Sequence, residues 1–437
     1  MSEQSTVSGC PYRLDPTASD IHGEAARLRA EGPATRVELP GGVVAWSVTD
    51  PDLVKRLLTD RRISKDAHQH WPAYIRGEIP ERWPLRVWVD VRNALTAYGA
   101  EHTRLRRLIG PAFSARRVRA LTPAIERITA ELLDKLDRLA TATPDTPVDY
   151  REHFAWVLPL QVVNTLLGVP DAMHDDFRDA IGGLFATDLS EEQALANHQR
   201  IGRLLDELID VKRRQPGDPD EGDVTTALIA AHDDETGTSL TDQELADSLM
   251  LLIGAGHETT VNLLDHATVN LLTHPDQLDL LRREKVTWAD AVEEALRHQA
   301  PLANILMRFA VEDVHDEATG FTFAQGEPIV INYAAVGRDP GRHTDADRFD
   351  ITRPTRRDHL AFGHGVHYCL GAELARLEGR IALPALFARF PDMRLAVPAA
   401  ELRPLESFIS NGHQAVPVWL HGAPDRGADA SHGPSHG

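Results

Sequence analysis

The chain has 437 residues, of which 42% are hydrophobic and 26% charged, a globular balance able to bury a core. Its 66 acidic residues against 46 Lys and Arg leave a formal charge of −20, which speaks against nucleic-acid binding, a task that needs a basic face for phosphates. Two cysteines far apart fit a reducing compartment. The polar N-terminus lacks a signal peptide's apolar core, and no apolar run reaches the roughly 18 residues of a spanning helix. A soluble, cytoplasmic protein is expected, with neither membrane nor nucleic acid as a partner.

Taken in chain order, residues 39–46 read as a small hairpin, a Pro-Gly-Gly turn followed by a β-rich run. Residues 64–100 show weak periodicity and hold Trp71, Trp83 and Trp88. Over residues 122–139 the spacing of Ile125, Ile128, Leu132, Leu133, Leu136 and Leu139 predicts an amphipathic helix. Breaker residues make 213–223 a polar loop. Residues 241–274 form the longest helical candidate, apolar around Leu249 to Ile253 and so central and buried. Thr287 and Asp290 have capping-box spacing and open a helix that must stop before Pro301. Residues 321–333 read as extended, 338–358 as an irregular polar loop, and 371–390 as a last helix. The whole is mainly α with minor β, one domain over residues 1–420, with a tail, 421–437, whose composition predicts disorder.

The most informative stretch runs Phe362-Gly363-His364-Gly365-Val366-His367-Tyr368-Cys369-Leu370-Gly371. Its cysteine has no plausible disulfide partner in Cys10. A free buried cysteine is often only a small apolar residue. Here Gly363, Gly365 and Gly371 permit positive φ and a close backbone approach to a flat cofactor, and the helix that follows points unpaired amides at the sulfur. A zinc site built on His367 and Cys369 fails for lack of further cysteines at metal-site spacing. A thiolate in such a turn is what a haem iron needs when oxygen must be split.

At this point the chain resembles the cytochrome P-450 family of haem-thiolate monooxygenases, whose pattern Phe-Gly-x-Gly-x-His-x-Cys-x-Gly is met at every specified position. The resemblance implies a single-domain, helix-rich triangular prism with small sheets, haem b as cofactor, and Cys369 as the axial ligand of its iron, with Phe362, Gly363 and Gly371 around it. Within the long helix lies Ala255-Gly256-His257-Glu258-Thr259-Thr260, flanked by apolar residues, where an acid and a hydroxyl are costly unless used. Thr259 can bond the carbonyl of Ala255 and open the helix locally. By resemblance Ala255 and Gly256 border the haem, and Glu258 and Thr259 deliver protons during oxygen activation. His257 has no assigned role beyond lining the site.

Glu294 and Arg297 alone would be an ordinary i, i+3 surface pair. Their position matches the family's Glu-x-x-Arg pair, which implies a lock onto the loop before the cysteine, through Arg348 or its rival Arg353. His102 and Arg106, one helical turn apart, with Arg308 and His367, match the family's contacts to the haem propionates, which when buried require cationic partners.

From His102 to Arg119 there are six arginines and no acid, a local reversal in an acidic chain. Arg106, Arg107, Arg116 and Arg117 are expected to dock an acidic ferredoxin that passes electrons from NAD(P)H and its reductase, with Arg356, Arg357 and Arg376 extending the face. Substrate contacts are expected from Trp71, Trp83, Trp88, Val89, Phe185, Asn304, Phe408 and Asn411. That lining suits a sizeable apolar molecule of the macrolide, steroid or terpenoid class. Residues 91–102 and 408–413 most resemble an actinobacterial subgroup acting on macrolides and steroids. The expected enzyme is a bacterial class I monooxygenase, monomeric, that hydroxylates its substrate with dioxygen and two electrons. The rival readings are a peroxide-using peroxygenase of the same fold and a non-catalytic haem sensor or electron carrier.

Overall fold

The computed structural model describes residues 10–185 and 191–422, so the C-terminal tail from 423 onwards lies outside the described residues. A six-stranded sheet gathers segments from both ends of the chain. Its order is Tyr12–Arg13, Ala34–Glu38, Val44–Val48, Pro328–Asn332, Asn304–Ala310 and Ile63–Ser64. The predicted hairpin forms: Ala34–Glu38 pairs antiparallel with Val44–Val48, and Gly41 and Gly42 reverse the chain at φ +87° and +84°, where a Cβ would be strained. Pro328–Asn332 then adds in parallel, with Ile329 opposite Trp46, and Asn304–Ala310 adds antiparallel to it. Phe309 pairs with Ser64 at the far edge. That last pairing brings Arg308 beside residue 65, some 240 positions earlier in the chain.

The helices form most of the remaining mass. Thr122–Ala142 buries Ile125, Ile128, Leu132, Leu133 and Leu136 along one face, as their spacing requires, with Leu139 partly buried. The central helix, Asp242–Thr273, starts at a capping box between Thr241 and Glu244 and spans about 48 Å at 1.5 Å per residue. From Thr260 to Leu271 every residue is buried. The reason is the neighbours on its several sides: Val157–Leu167, Glu191–Arg214, Trp288–His298 and Ala372–Arg389. The capping box at Thr287 and Asp290 forms as expected and opens Trp288–His298. Ala372–Arg389 follows the cysteine and crosses close over Trp288–His298, since a Cβ at Gly379 would stand 2.9 Å from Val292.

One expectation is corrected. Residues 321–333 are not a single extended run, because Gly326, at φ +78°, turns the chain between Phe321–Phe323 and Pro328–Asn332. Phe321–Phe323 pairs with Val314–Asp316 in a separate two-stranded ribbon, and Tyr333 begins a short helix, Tyr333–Gly337.

Candidate active site

Cys369 sits deep among protein groups, yet its surface is open. Its amide donates to the carbonyl of Phe362 at 2.9 Å, which closes the loop on itself. Gly363 and Gly365 adopt φ +72° and +70°, and a side chain on Gly365 would collide with the Leu58 carbonyl. The third glycine behaves differently from expectation. Gly371 has φ −83°, a region any residue adopts, and serves as the N-cap of Ala372–Arg389. Burial pushes the Cys369 thiol up, while the amides of Gly371 and Ala372 and the charges of Arg106 and Arg376 pull it down. The helix start is therefore aimed at the sulfur. Arg376 lies over the Phe362 ring at 4.5 Å and donates to Glu293 at 2.6 Å.

Around this loop stands a cluster of cations. His102 and His367 lie ring to ring at 4.0 Å, and Arg106 reaches the Tyr368 carbonyl at 3.1 Å. Arg308 is buried beside Tyr333. Burial, then Arg106, pushes His102 down to about 4. Burial, then Lys65, His102, Arg308 and Arg106, drives His367 far lower. The structure thus brings together all four residues expected at the propionates, and adds a fifth, Lys65, that sequence reasoning missed. Nε2 of His102 and Nη1 of Arg308 are buried without a hydrogen-bond partner. Among the described residues no carboxylate stands with the cluster. A haem, which would bring two carboxylates, fits this set.

On the central helix, Ala255 is the only exposed residue between Leu251 and Leu271, flanked by half-buried Gly254 and Gly256. Thr259 Oγ1 donates to the Ala255 carbonyl at 2.6 Å, the predicted side-chain bond. Gly256 packs toward the neighbouring helix, where its Cβ would meet Val163 at 3.3 Å. His257 is fully buried, with Nε2 2.9 Å from the Trp156 carbonyl and its ring edge-on to Trp156. It braces the helix from behind instead of lining the site. Glu258 is also buried. Its carboxylate meets Arg151 at 3.3 Å, and Arg151 in turn donates to Asp265 at 2.7 Å and Asn262 at 3.0 Å. Burial raises the Glu258 carboxyl above its ordinary value, with Arg151 opposing. Arg151 and Asp265 were not foreseen, since Arg151 lies 107 residues from its acid.

Glu294 and Arg297 are fully buried, not surface decoration. Arg297 forks onto Glu294 at 2.7 and 2.8 Å and donates to the carbonyls of Gly337, Ala346 and Arg348. The third side chain is Arg353, at 3.3 Å from Glu294, while Arg348 offers only its carbonyl. The rival partner of the sequence reading is the one used, because the turn after Asp350 directs Arg353 inward.

Several arginines of the stretch are engaged by other segments, while Arg116 and Arg119 remain exposed. Arg104 pairs with Glu101 and Glu244, and Arg107 with Asp233 and Glu235. Arg116 reaches the Asp220 carbonyl, and Arg117 those of Gly222 and Pro219. Arg356 is held by Asp290. Acidic segments distant in sequence pack onto these arginines and use their charge. Beside the cysteine, Val366 and Tyr368 are exposed at 65% and 41%.

Among the expected substrate contacts, Trp71 and Trp83, at 2% and 3% exposure, are taken up by packing. Trp71 stacks on Phe309, and Trp83 donates to the Pro40 carbonyl. Val89 and Phe408 are buried in the same core, against which half-buried Trp88 packs. Asn304 donates to the Phe408 carbonyl and Asn411 to Gln299 and the Ala300 carbonyl, so both tie turns together. Phe185 ends the helix His174–Phe185, and its side chain lies outside the described residues.

Fold and site together define a helix-rich protein built around a glycine-framed cysteine at a helix N-terminus. The family model for cytochrome P450 matches residues 41–394, and the chain belongs to that family. It is a cytochrome P450 monooxygenase, an oxygen-incorporating oxidoreductase whose cofactor is haem iron. The chain is 44% identical to 2-hydroxy-5-methyl-1-naphthoate 7-hydroxylase of Streptomyces carzinostaticus, over 94% of this chain and 98% of that one. It is 38% identical to 6-deoxyerythronolide B hydroxylase of Saccharopolyspora erythraea, over 91% and 95%. Against the structure of CYP154A1 from Streptomyces coelicolor A3(2) the identity is 52% and the TM-score 0.83, covering 94% of this chain and 100% of that one. No described helix is long and apolar enough to cross a membrane.

Proposed function

We propose that this cytochrome P450 hydroxylates a sizeable apolar molecule in the cytoplasm, with Cys369 as the thiolate ligand of the haem iron and electrons supplied by a separate ferredoxin. The observation that carries the reading is the acid-free cation cluster beside Cys369. Its buried, unpartnered donors call for a bound group with carboxylates, and Arg106 stands both in that cluster and near the sulfur. His102, Arg106, Arg308 and His367 hold the propionates. When bound, the haem supplies two-electron activation of dioxygen.

The protein's own part is to place protons and exclude water. Thr259 presents Oγ1 at the open turn around Ala255, where its bond to Ala255 occupies a carbonyl that would otherwise serve the helix. From there Oγ1 passes protons inward. Glu258, its carboxyl raised by burial, holds a proton more readily than an exposed acid and refills Thr259 by swinging away from Arg151. Arg297 and Arg353, locked on Glu294, keep the loop before the cysteine in place.

One reconstitution tests both routes. With NAD(P)H, a ferredoxin reductase and a ferredoxin, the enzyme should form hydroxylated product, and omitting ferredoxin should stop it. Thr259→Ala should go on consuming NAD(P)H while most of the electrons appear as hydrogen peroxide; unchanged product yield would remove Thr259 from proton delivery. Turnover with hydrogen peroxide alone, as fast as with the electron chain, would favour the peroxygenase reading. The ferredoxin is proposed to approach the cysteine side, where exposed Val366 and Tyr368 offer an apolar contact.

For the substrate we propose the macrolide, steroid or terpenoid class; the chain is similar to one relative named for 6-deoxyerythronolide B and, outside that class, to one named for a naphthoate. Half-buried Trp88 is the aromatic contact of the expected set that core packing leaves partly accessible. A panel of such compounds, added to the ferric enzyme, should include members that shift the Soret band to the high-spin position. A panel without one would discard the class.

A further inference from the structure

The chain contains five lysines, and only one of them, Lys65, is buried. Its surroundings are unusual for an ammonium. Among the described residues Nζ donates to a single acceptor, the Leu306 carbonyl at 3.1 Å, and to no carboxylate. An ammonium has three protons to give, and burying one with two of them unpaired is unfavourable unless an anion arrives. Where other buried cations of this protein lack a cofactor role, they have acids: Arg151 has Glu258 and Asp265, and Arg297 and Arg353 share Glu294. Lys65 has none.

Its place explains the difference. Ser64 pairs with Phe309, so the next step of the register sets Lys65 beside Arg308. Burial and the charge of Arg308 both push its ammonium toward the neutral form, and Lys65 heads the charges acting on His367. Lys65, Arg308, His102 and His367 therefore form one pocket wall. It carries a donor without a partner on Arg308 and another unpartnered nitrogen on His102. The lysine directly follows the strand Ile63–Ser64, which is hydrogen-bonded to the strand that carries Arg308.

We propose that Lys65 is a further cofactor-holding residue, closing a charge-assisted hydrogen bond to a carboxylate of the bound haem together with Arg308. This rests on the haem-thiolate reading above. A carboxylate from an acidic substrate has the same chemistry and is the competing source.

The test uses the ferric holoenzyme and the variants Lys65→Met, which fills the site without charge, and Lys65→Arg, which keeps the charge. Two readouts are taken. One is the rate of haem transfer to excess apomyoglobin, and the other is the propionate-bending band in the resonance Raman spectrum. Lys65→Met should lose haem roughly ten- to a hundredfold faster, the loss of one hydrogen bond to a charged group, and should shift the band. Lys65→Arg should leave both close to the parent. A purely structural role could speed haem loss but would leave the propionate band in place, and that result overturns the proposal. So does an unchanged loss rate. If the band stays and the affinity for 1-naphthoate, the acidic probe, falls instead, the lysine serves a substrate acid and the assignment is wrong. Should Lys65→Met not fold, Lys65→Gln carries the same readings. A parent protein without a propionate band or thiolate spectrum would sink the haem-thiolate reading itself, which keeps the two failures apart.

Discussion

Replacing Arg297 by alanine should cost about 3–5 kcal/mol of stability and leave a protein that does not retain haem. The size follows from what the guanidinium holds. It is wholly buried and forks onto an equally buried Glu294, so its removal strands a carboxylate with only Arg353 and the Asp350 amide to answer it. The carbonyls of Gly337 and Ala346 lose their side-chain donor at the same time, and that of Arg348 keeps only Arg353. Those carbonyls belong to the polypeptide that leads to the cysteine loop, so the damage reaches the site without touching it. Lysine at 297 keeps the charge but has no planar fork, and it should recover only part of the loss. The measurement is urea unfolding with haem content determined in parallel. A loss under 1 kcal/mol with normal haem content would show that the pair does not support the loop.

Serine at position 369 should abolish the thiolate signature and reduce product to background. The parent, reduced and bound to carbon monoxide, should show the strongly red-shifted Soret band of a thiolate ligand, and Cys369→Ser should not. The surroundings are arranged for an anion at this atom: two helix amides and two arginines oppose the burial that otherwise keeps the thiol protonated. Ligation replaces the proton by the metal and reverses that balance, so loading the haem should release a proton. A hydroxyl in the same place is a far weaker acid and cannot repeat the exchange. A red-shifted band retained in Cys369→Ser would mean that another residue ligates the iron.

The parts legible beforehand are those whose partners are near in sequence. The hairpin at Gly41 and Gly42, the bond from Thr259 to Ala255, the capping box at Thr287 and the buried pair Glu294–Arg297 each close within a few residues. Local geometry is then enough to predict contact. The cysteine loop is legible for the same reason, since a glycine-framed turn must be contiguous to place one sulfur at a helix start. What the reading did not show are partners that lie far away in sequence. The six arginines between residues 102 and 119 looked like an open cationic face, and the loop at 219–222 and the turn at 233–235 claim much of it. Trp71 and Trp83 looked available to a substrate and are stacked into the core. Counting residue types along a chain does not show which surfaces meet.

From its sequence alone this protein is determined as a haem-thiolate monooxygenase: the cysteine, its glycines and the Glu-Thr pair occupy short motifs whose chemistry depends on bonds made within one or two turns. Only the tertiary structure decided how charge is shared inside it. That Arg353 and not Arg348 completes the buried lock, that Glu258 lies against Arg151, and that Lys65 joins Arg308 without an acid all depend on pairings across distant elements. The physical reason is that a buried charge is set by its neighbours in space, and in this fold those neighbours come from strands and turns more than 240 residues away.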